Sequence, residues 1–464
     1  MRKFDEIVLK EVEEPFLNED IKPVLLSEKT MQERFQKTLN IMEEEYLDAM
    51  VIYCDLEHGS NFEYLTGFLT RFEEALMVVH KEGRAYLLLG NENLNKASKS
   101  RIPVKAIHVP FFSLPNQPMD DECELEDYLK KAGLTKNMKT GVVGWKYFTS
   151  KILNNRKLFD IPYYLVTALQ NVVGEENLEN RCDLFIGSKK GIRTTNNANE
   201  IAHYEFGSTL AGVRILNTMN LFDEGVSEME LGSALEVYGQ PHNVVTIAAT
   251  GKRFEYANLY PTDKKVKKGD AVSLTVGYKG GLSSRAGYAV NNQDELPNNV
   301  QDYIDVLARP YYTAVVTWLE NIHVDMKGKE LYDIIEEVLP KSEYHWHLNP
   351  GHLIADEEWM SSPIYPESEE ILKSGMMLQI DIIPGQDGYA GASCESGIVL
   401  ADSDLREKIK AEYPKMYERF MKRRQYMKEI LGIAVHEDVL LMNDTVAYYR
   451  PYFLNKKVVF AVEK

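Results

Sequence analysis

The chain has 464 residues, 44% of them apolar, enough for two or three domains with proper cores. Its 53 basic and 71 acidic residues leave a net charge of −18, a surface that repels phosphate backbones and anionic lipid and argues against nucleic acid or membrane as a partner. The four cysteines (Cys54, Cys123, Cys182 and Cys394) show no CxxC spacing. With a charged start (MRKFDEIVLKEVEEP) and no long apolar run, they point to a soluble, cytoplasmic protein without a thiol metal site.

In chain order, residues 1–28 read as an arm. Residues 31–46 (MQERFQKTLNIMEEEY) carry apolar side chains at helical spacing. AMVIYC (49–54), ALMVVH (75–80) and AYLLLG (85–90) read as short buried strands, and strand and helix alternate to about residue 185. This predicts an α/β domain over 29–186 with a largely buried sheet. The polar stretch GSKKGIRTTNNANE (187–200) reads as a linker and a helix start, with Asn196 or Asn197 as cap and Glu200 in the first turn. A helix is expected over 201–222, and further helices over 297–322 and 328–338. Strands are expected at 243–250, 271–278, 376–384 and 397–402. Residues 403–430 form a charged helical pattern, and the aromatic tail from 443 should pack back onto the body. The expected boundaries are thus an arm (1–28), an N-terminal domain (29–186), a second domain (187–402) and an extension (403–464).

Several residues carry possible chemistry. Asp381 lies mid-strand among Leu378, Ile380, Ile382 and Ile383. Burial of its carboxylate is costly unless it is paired. It is either half of a salt bridge with Arg285 or a carboxylate that orients a ligand. Glu395, in Ser-Cys-Glu-Ser, carries the same alternatives, and His352, after Pro350-Gly351, is either a structural or a proton-transferring histidine. His345 and His347 share one face if the segment is extended, as a packing feature or a metal pair. Cys394 has no histidine beside it in sequence and reads as a buried, inert thiol.

Four segments together resemble the creatinase/aminopeptidase P family. They are NFEYLTGF (61–68), the helix entry GIRTTNNANEI, the strand pair KKGDAVSLTVGYKGG (267–281), and NPGHLIA followed by KSGMMLQIDIIPG. The resemblance runs from about residue 30 to 402. It implies a creatinase-like α/β domain followed by a pita-bread domain. In the family's metalloenzymes two Asp, one His and two Glu hold two divalent metals, which generate hydroxide. By position these fall at Thr275, at Ser284 or Arg285, at His352, at Asp381 and at Glu395. Residues 271–293 contain no Asp or Glu, so both aspartates are missing. Asn258 stands where creatinase has its acid/base histidine, and an amide does not shuttle a proton at neutral pH. Trp359 stands where the aminopeptidases have another histidine. Arg71 and Phe72 fall where creatinase reaches across a dimer interface.

The resemblance therefore implies a metal-independent hydrolase or lyase of a small C–N compound, without a cofactor. His352 would be the acid/base, with Asp381 and Glu395 tuning it. Arg285 would contact one of those carboxylates or hold a substrate carboxylate, and Asn258, Thr275 and Ser284 would complete the site. The alternatives are a single-metal Xaa-Pro-type aminopeptidase, with Mn, Zn or Co on His352, Asp381 and Glu395, and a non-catalytic binding or scaffold protein. The expected partners are a small-molecule or short-peptide substrate and a second copy of the chain.

Overall fold

A computed structural model describes residues 2–120, 122–255 and 260–463, with the side chain of residue 255 left out. The chain divides into two compact units, Leu26–Thr194, and Met1–Leu25 together with Thr195–Lys464.

The first unit is built on the apolar runs. Ala49–Cys54 and Ala75–His80 are buried at every position, the pattern of strands covered on both faces rather than one. They pair antiparallel, and Thr140–Val143 joins the other side of Ala49–Cys54 in parallel. The six-stranded sheet runs Lys105–His108, Ala85–Leu89, Ala75–His80, Ala49–Cys54, Thr140–Val143, Leu178–Asn180. The helix Glu28–Glu44 starts at Ser27, whose hydroxyl accepts the Thr30 N–H at 3.1 Å. Gly67 ends the helix Ser60–Thr66 with φ 77°, a left-handed cap suited to glycine.

The second unit carries a seven-stranded sheet whose pairs are antiparallel. Its order is His352–Leu353, Met377–Ile380, Ser393–Leu400, Gly281–Tyr288, Ala271–Tyr278, Ile247–Thr250. Val439–Leu441, from the C-terminal segment, also pairs with Ser393–Leu400. The helix Ala198–Leu221 packs against Ala271–Tyr278 and Gly281–Tyr288. Asn197 caps it. Its side chain accepts the Glu200 N–H and the Glu200 carboxylate accepts the Asn197 N–H, both at 2.9 Å. Asn196 instead donates to the Gly375 carbonyl.

Two expected helices are interrupted. Over 297–322 the chain makes a 3-10 turn at Asn298–Val300 and a π turn at Ile304–Ala308, and becomes α-helical only at Arg309–Asn321. The pattern over 403–430 splits into Ser403–Glu412 and Pro414–Glu429, because Pro414 has no N–H to continue the ladder.

The two ends of the chain close this unit. Ile7–Glu11 pairs antiparallel with Val458–Val462. Arg423, buried on the helix Pro414–Glu429, donates to Glu205 at 2.8 Å and to Asp444 at 2.7 Å. Arg419 donates to Glu205 at 2.8 Å, and Asn18 donates to Asp444 from both its backbone and its side chain. Tyr448, Tyr449, Phe453 and Phe460 of the tail are all buried.

Candidate functional site

Strand register builds the site. Thr275 lies opposite Ser284, and Ser284 lies opposite Glu395. Directly opposed residues share a face, so these three form one row across the sheet. The row settles which of Ser284 and Arg285 faces inward: it is Ser284. The Thr275 and Ser284 hydroxyls hydrogen-bond to each other at 2.8 Å. Asp381 follows Ile380, which pairs with Ser396, so the chain carries it to the side of Glu395. His352 begins the edge strand and pairs with Gln379, two residues before Asp381.

His352 is fully buried, with Nε2 3.6 Å from Asp381 Oδ2 and 3.1 Å from Glu358 Oε1. Neither contact is aligned as a hydrogen bond, and Asp381 Oδ1, also buried, has no hydrogen-bond partner. The Trp359 ring stacks on the imidazole, 4.0 Å between centroids and 25° between planes. Burial pulls the His352 pKa down, and the Glu358 and Asp381 carboxylates more than offset that, leaving it above its ordinary value. Burial pushes the Asp381 carboxyl up to about 6, with His352 opposing and Glu358 reinforcing the shift. Glu395 is raised well above the usual carboxylate range by burial and by the charges of Asp381 and Glu358. The arrangement is one imidazole among three carboxylates.

Arg285 is absent from this cluster, which corrects the expected guanidinium–carboxylate contact. One residue along from Ser284, it points to the opposite face. There, fully buried, it donates to the carbonyls of Ser284 (2.7 Å), Glu395 (2.9 Å), Thr445 (2.6 Å) and Tyr448 (2.9 Å). Through Thr445 and Tyr448 it anchors the C-terminal segment. Asn258 lies outside the described residues. Arg71 and Phe72 are both exposed on the first unit, with the guanidinium 4.8 Å over the ring. Cys394 is buried, and burial pushes its thiol up to about 11. His345 and His347 are exposed on either side of the buried Trp346.

Sequence reasoning missed Glu358. Leu353 N–H bonds to Ser361 O at 2.7 Å and Met360 N–H to Leu353 O at 3.0 Å, so the turn folds back and returns residue 358 to His352. The signal was the short polar stretch Ala-Asp-Glu-Glu after the His352 strand, which allows such a turn.

Thr275 and Ser284 do not fit the two-metal centre that the resemblance implies. Two neutral hydroxyls committed to each other cannot offset a pair of divalent cations. Among the described residues, no group of three or more His, Cys, Asp or Glu is arranged to hold a metal ion.

Residues 190–410 match the model of metallopeptidase family M24, and residues 34–149 match that of the creatinase/prolidase N-terminal domain. The chain belongs to the creatinase/aminopeptidase P family. Its first unit is the creatinase-like α/β domain and its second carries the pita-bread domain. No curated protein matches it in sequence. Among solved structures it is similar to the Xaa-Pro dipeptidase from Bacillus anthracis, at 17% identity and TM-score 0.60 over 81% of this chain and 96% of that one. The prolidase from Pyrococcus horikoshii OT3 matches at 17% identity and TM-score 0.61 over 80% and 95%. A putative aminopeptidase P from Bacillus anthracis matches at 13% identity and TM-score 0.56 over 83% and 99%. At these identities the likeness establishes the fold. Among the described residues no helix is long and apolar enough to cross a membrane.

Proposed function

We propose that this family member is a metal-independent hydrolase or lyase that cleaves a C–N bond in a small molecule or short peptide carrying a positive charge. One observation carries the reading. Asp381 is buried with Oδ1 unpartnered, beside Glu395 and Glu358, while the guanidinium expected to neutralise it faces the other way. Buried carboxylates that share a single imidazole, met out of line, are incompletely compensated, and a ligand that brings a further cation offsets the cost.

Asp381 and Glu395 would grip the cationic group. The Glu358 and Asp381 carboxylates outweigh the effect of burial and raise the His352 pKa above its ordinary value, which shifts it toward the imidazolium. His352 would protonate the leaving nitrogen as the C–N bond breaks, and in a hydrolysis it would recover that proton from the attacking water. Ser284, Thr275 and Asn258 would hydrogen-bond the rest of the substrate. The relatives named Xaa-Pro dipeptidase and prolidase support a short peptide, whose N-terminal ammonium would supply the charge. A homodimer working in the cytoplasm, with Arg71 and Phe72 at the interface, completes the proposal, and light scattering at micromolar concentration tests the association.

A second reading keeps a single Mn, Zn or Co ion on His352, Asp381 and Glu395, favoured by the 3.6 Å approach of His352 to Asp381. Elemental analysis of protein purified without chelator, with peptide turnover measured with and without Mn²⁺, separates the two. The expected result is substoichiometric metal and no Mn²⁺-stimulated cleavage of Xaa-Pro peptides. Tight stoichiometric metal would overturn the first reading. Ligand binding without any turnover would leave a binding protein.

A further inference from the structure

We infer that the second unit carries an anion-binding subsite, formed by Lys252, Tyr288 and Asn299, which holds the C-terminal carboxylate of a peptide about four residues long. The inference rests on the cation-binding reading above and goes further by placing the far end of the substrate and setting its length.

Strand register leads from the carboxylates to this subsite. The row Thr275–Ser284–Glu395 is followed on the same face by Ser273, Ala286 and Ser393, and then by Ala271 and Tyr288. Between these rows, Val272, Leu274 and Cys394 point to the other face and are fully buried, whereas Ser273 and Ser393 stay partly exposed. The face is therefore floored by small side chains and stays in part open to solvent. Four residues of strand separate Ser284 from Tyr288, a span of about 13 Å, which an extended peptide of about four residues covers.

At the far end lies a cavity of about 470 Å³ whose walls include Lys252, Phe254, Asp270, Tyr288, Asn299 and Tyr389. These walls are fixed. Thr250 precedes the segment bearing Lys252 and is held by the fully buried Glu228, which accepts its N–H at 2.9 Å and its hydroxyl at 3.0 Å. Gly251 follows with φ 57° and leaves no room for a Cβ beside Asp270 Oδ1. Tyr389 donates to Asp302 at 2.7 Å, and the Ala390 N–H donates to the Tyr288 hydroxyl at 2.7 Å.

The donors at this cavity are unspent. Tyr288 is 4% exposed. Its hydroxyl accepts the Ala390 N–H, but its own proton meets no acceptor among the described residues. The Lys252 and Asn299 side chains form no hydrogen bond or ion pair among the described residues. Asp270, the carboxylate in the wall, is already answered by Lys264 Nζ at 2.6 Å and the Lys267 N–H at 2.9 Å. The cavity thus offers a cation and a buried O–H that lack acceptors, and a carboxylate supplies both. The open face then carries opposite charge at its two ends, matching the ammonium and carboxylate of an extended peptide.

The test is isothermal titration calorimetry of the full chain at low salt with tetra-alanine, its C-terminal amide, N-acetyl-tetra-alanine and dialanine. Tetra-alanine should bind about tenfold more tightly than its amide, and more tightly than dialanine, which cannot reach both ends. Lys252→Ala should bind the acid and the amide equally. Tyr288→Phe, which keeps the ring and removes the proton, should weaken the acid several-fold. Thermal unfolding of each variant verifies that it is folded, and the exposed Lys252 keeps the test open should Tyr288→Phe fail to fold. Equal wild-type affinity for acid and amide, an acid preference that survives in Lys252→Ala, or dialanine binding as well as tetra-alanine overturns the subsite and leaves the cation-binding reading standing. If acetylation leaves the affinity unchanged, the cation-binding reading falls and the acid–amide difference alone judges the subsite. If tetra-alanine does not bind the wild type, both fall.

Discussion

Around Arg423 every charge has an answering group, whereas around Asp381 the charges outnumber their partners. Both clusters are buried in the same unit. Arg423 meets Glu205, Asp444, the Leu441 carbonyl and the Thr209 hydroxyl, and the two carboxylates receive further donors from Arg419 and Asn18. Asp381 meets one imidazole out of line and leaves an oxygen bare. Burial alone therefore does not mark a functional site. The mark is burial with incomplete hydrogen bonding, since an unmet polar group costs stability that a purely structural cluster has no reason to carry.

Four measurements break or sharpen this contrast. Arg423→Ala should be the most damaging, because it strips a cation from two buried carboxylates. Chemical denaturation should show a loss of about 3–5 kcal/mol, and a loss near zero would mean the network is not structural.

Asp381→Asn should behave in the opposite sense. The folded pKa of Asp381 is raised from 3.8 to about 6, so the folded state holds this proton more tightly than the unfolded chain. Its contribution is fully present below 3.8 and is lost as pH rises through 6, a total on the order of 3 kcal/mol. The Asn variant lacks that loss, so its stability relative to wild type should climb between pH 4 and pH 7. A flat difference would show that Asp381 is satisfied after all.

Arg285→Lys should cost about 2 kcal/mol, since an ammonium cannot reproduce the planar fork that serves four carbonyls. Cation binding should be unchanged, and a matching loss of binding would return Arg285 to the site. Thr275→Val, which leaves the Ser284 hydroxyl without its partner, should cost only about 1 kcal/mol by thermal unfolding. A much larger effect would imply that the hydroxyl pair organises the whole row.

The sequence carried the fold well because its signals were local and redundant. The continuous apolar runs at 49–54 and 75–80 fixed a doubly covered sheet, and the spaced family segments fixed the second domain. The convergence of His352, Asp381 and Glu395 was also legible, through that spacing. What stayed hidden depended on register and on turns. Ser284 and Arg285 differ by one residue, and only the pairing with Thr275 and Glu395 decides which of them faces inward. Glu358 is six residues from His352, and only a tight reversal of the chain brings it home. The break at Pro414 could have been read, because a proline inside a helical pattern signals an interruption.

The pairing of Ile7–Glu11 with Val458–Val462 also sets how the molecule answers force. Ile7 lies opposite Val462, and Glu11 opposite Val458. A pull applied to both ends enters at the Ile7–Val462 rung, and because antiparallel bonds run across the strands, it opens them in succession instead of shearing them together. The clasp should peel at low tension in a single-molecule stretching experiment, well before the central sheet yields, and so give the terminal segments a mechanical release separate from thermal unfolding.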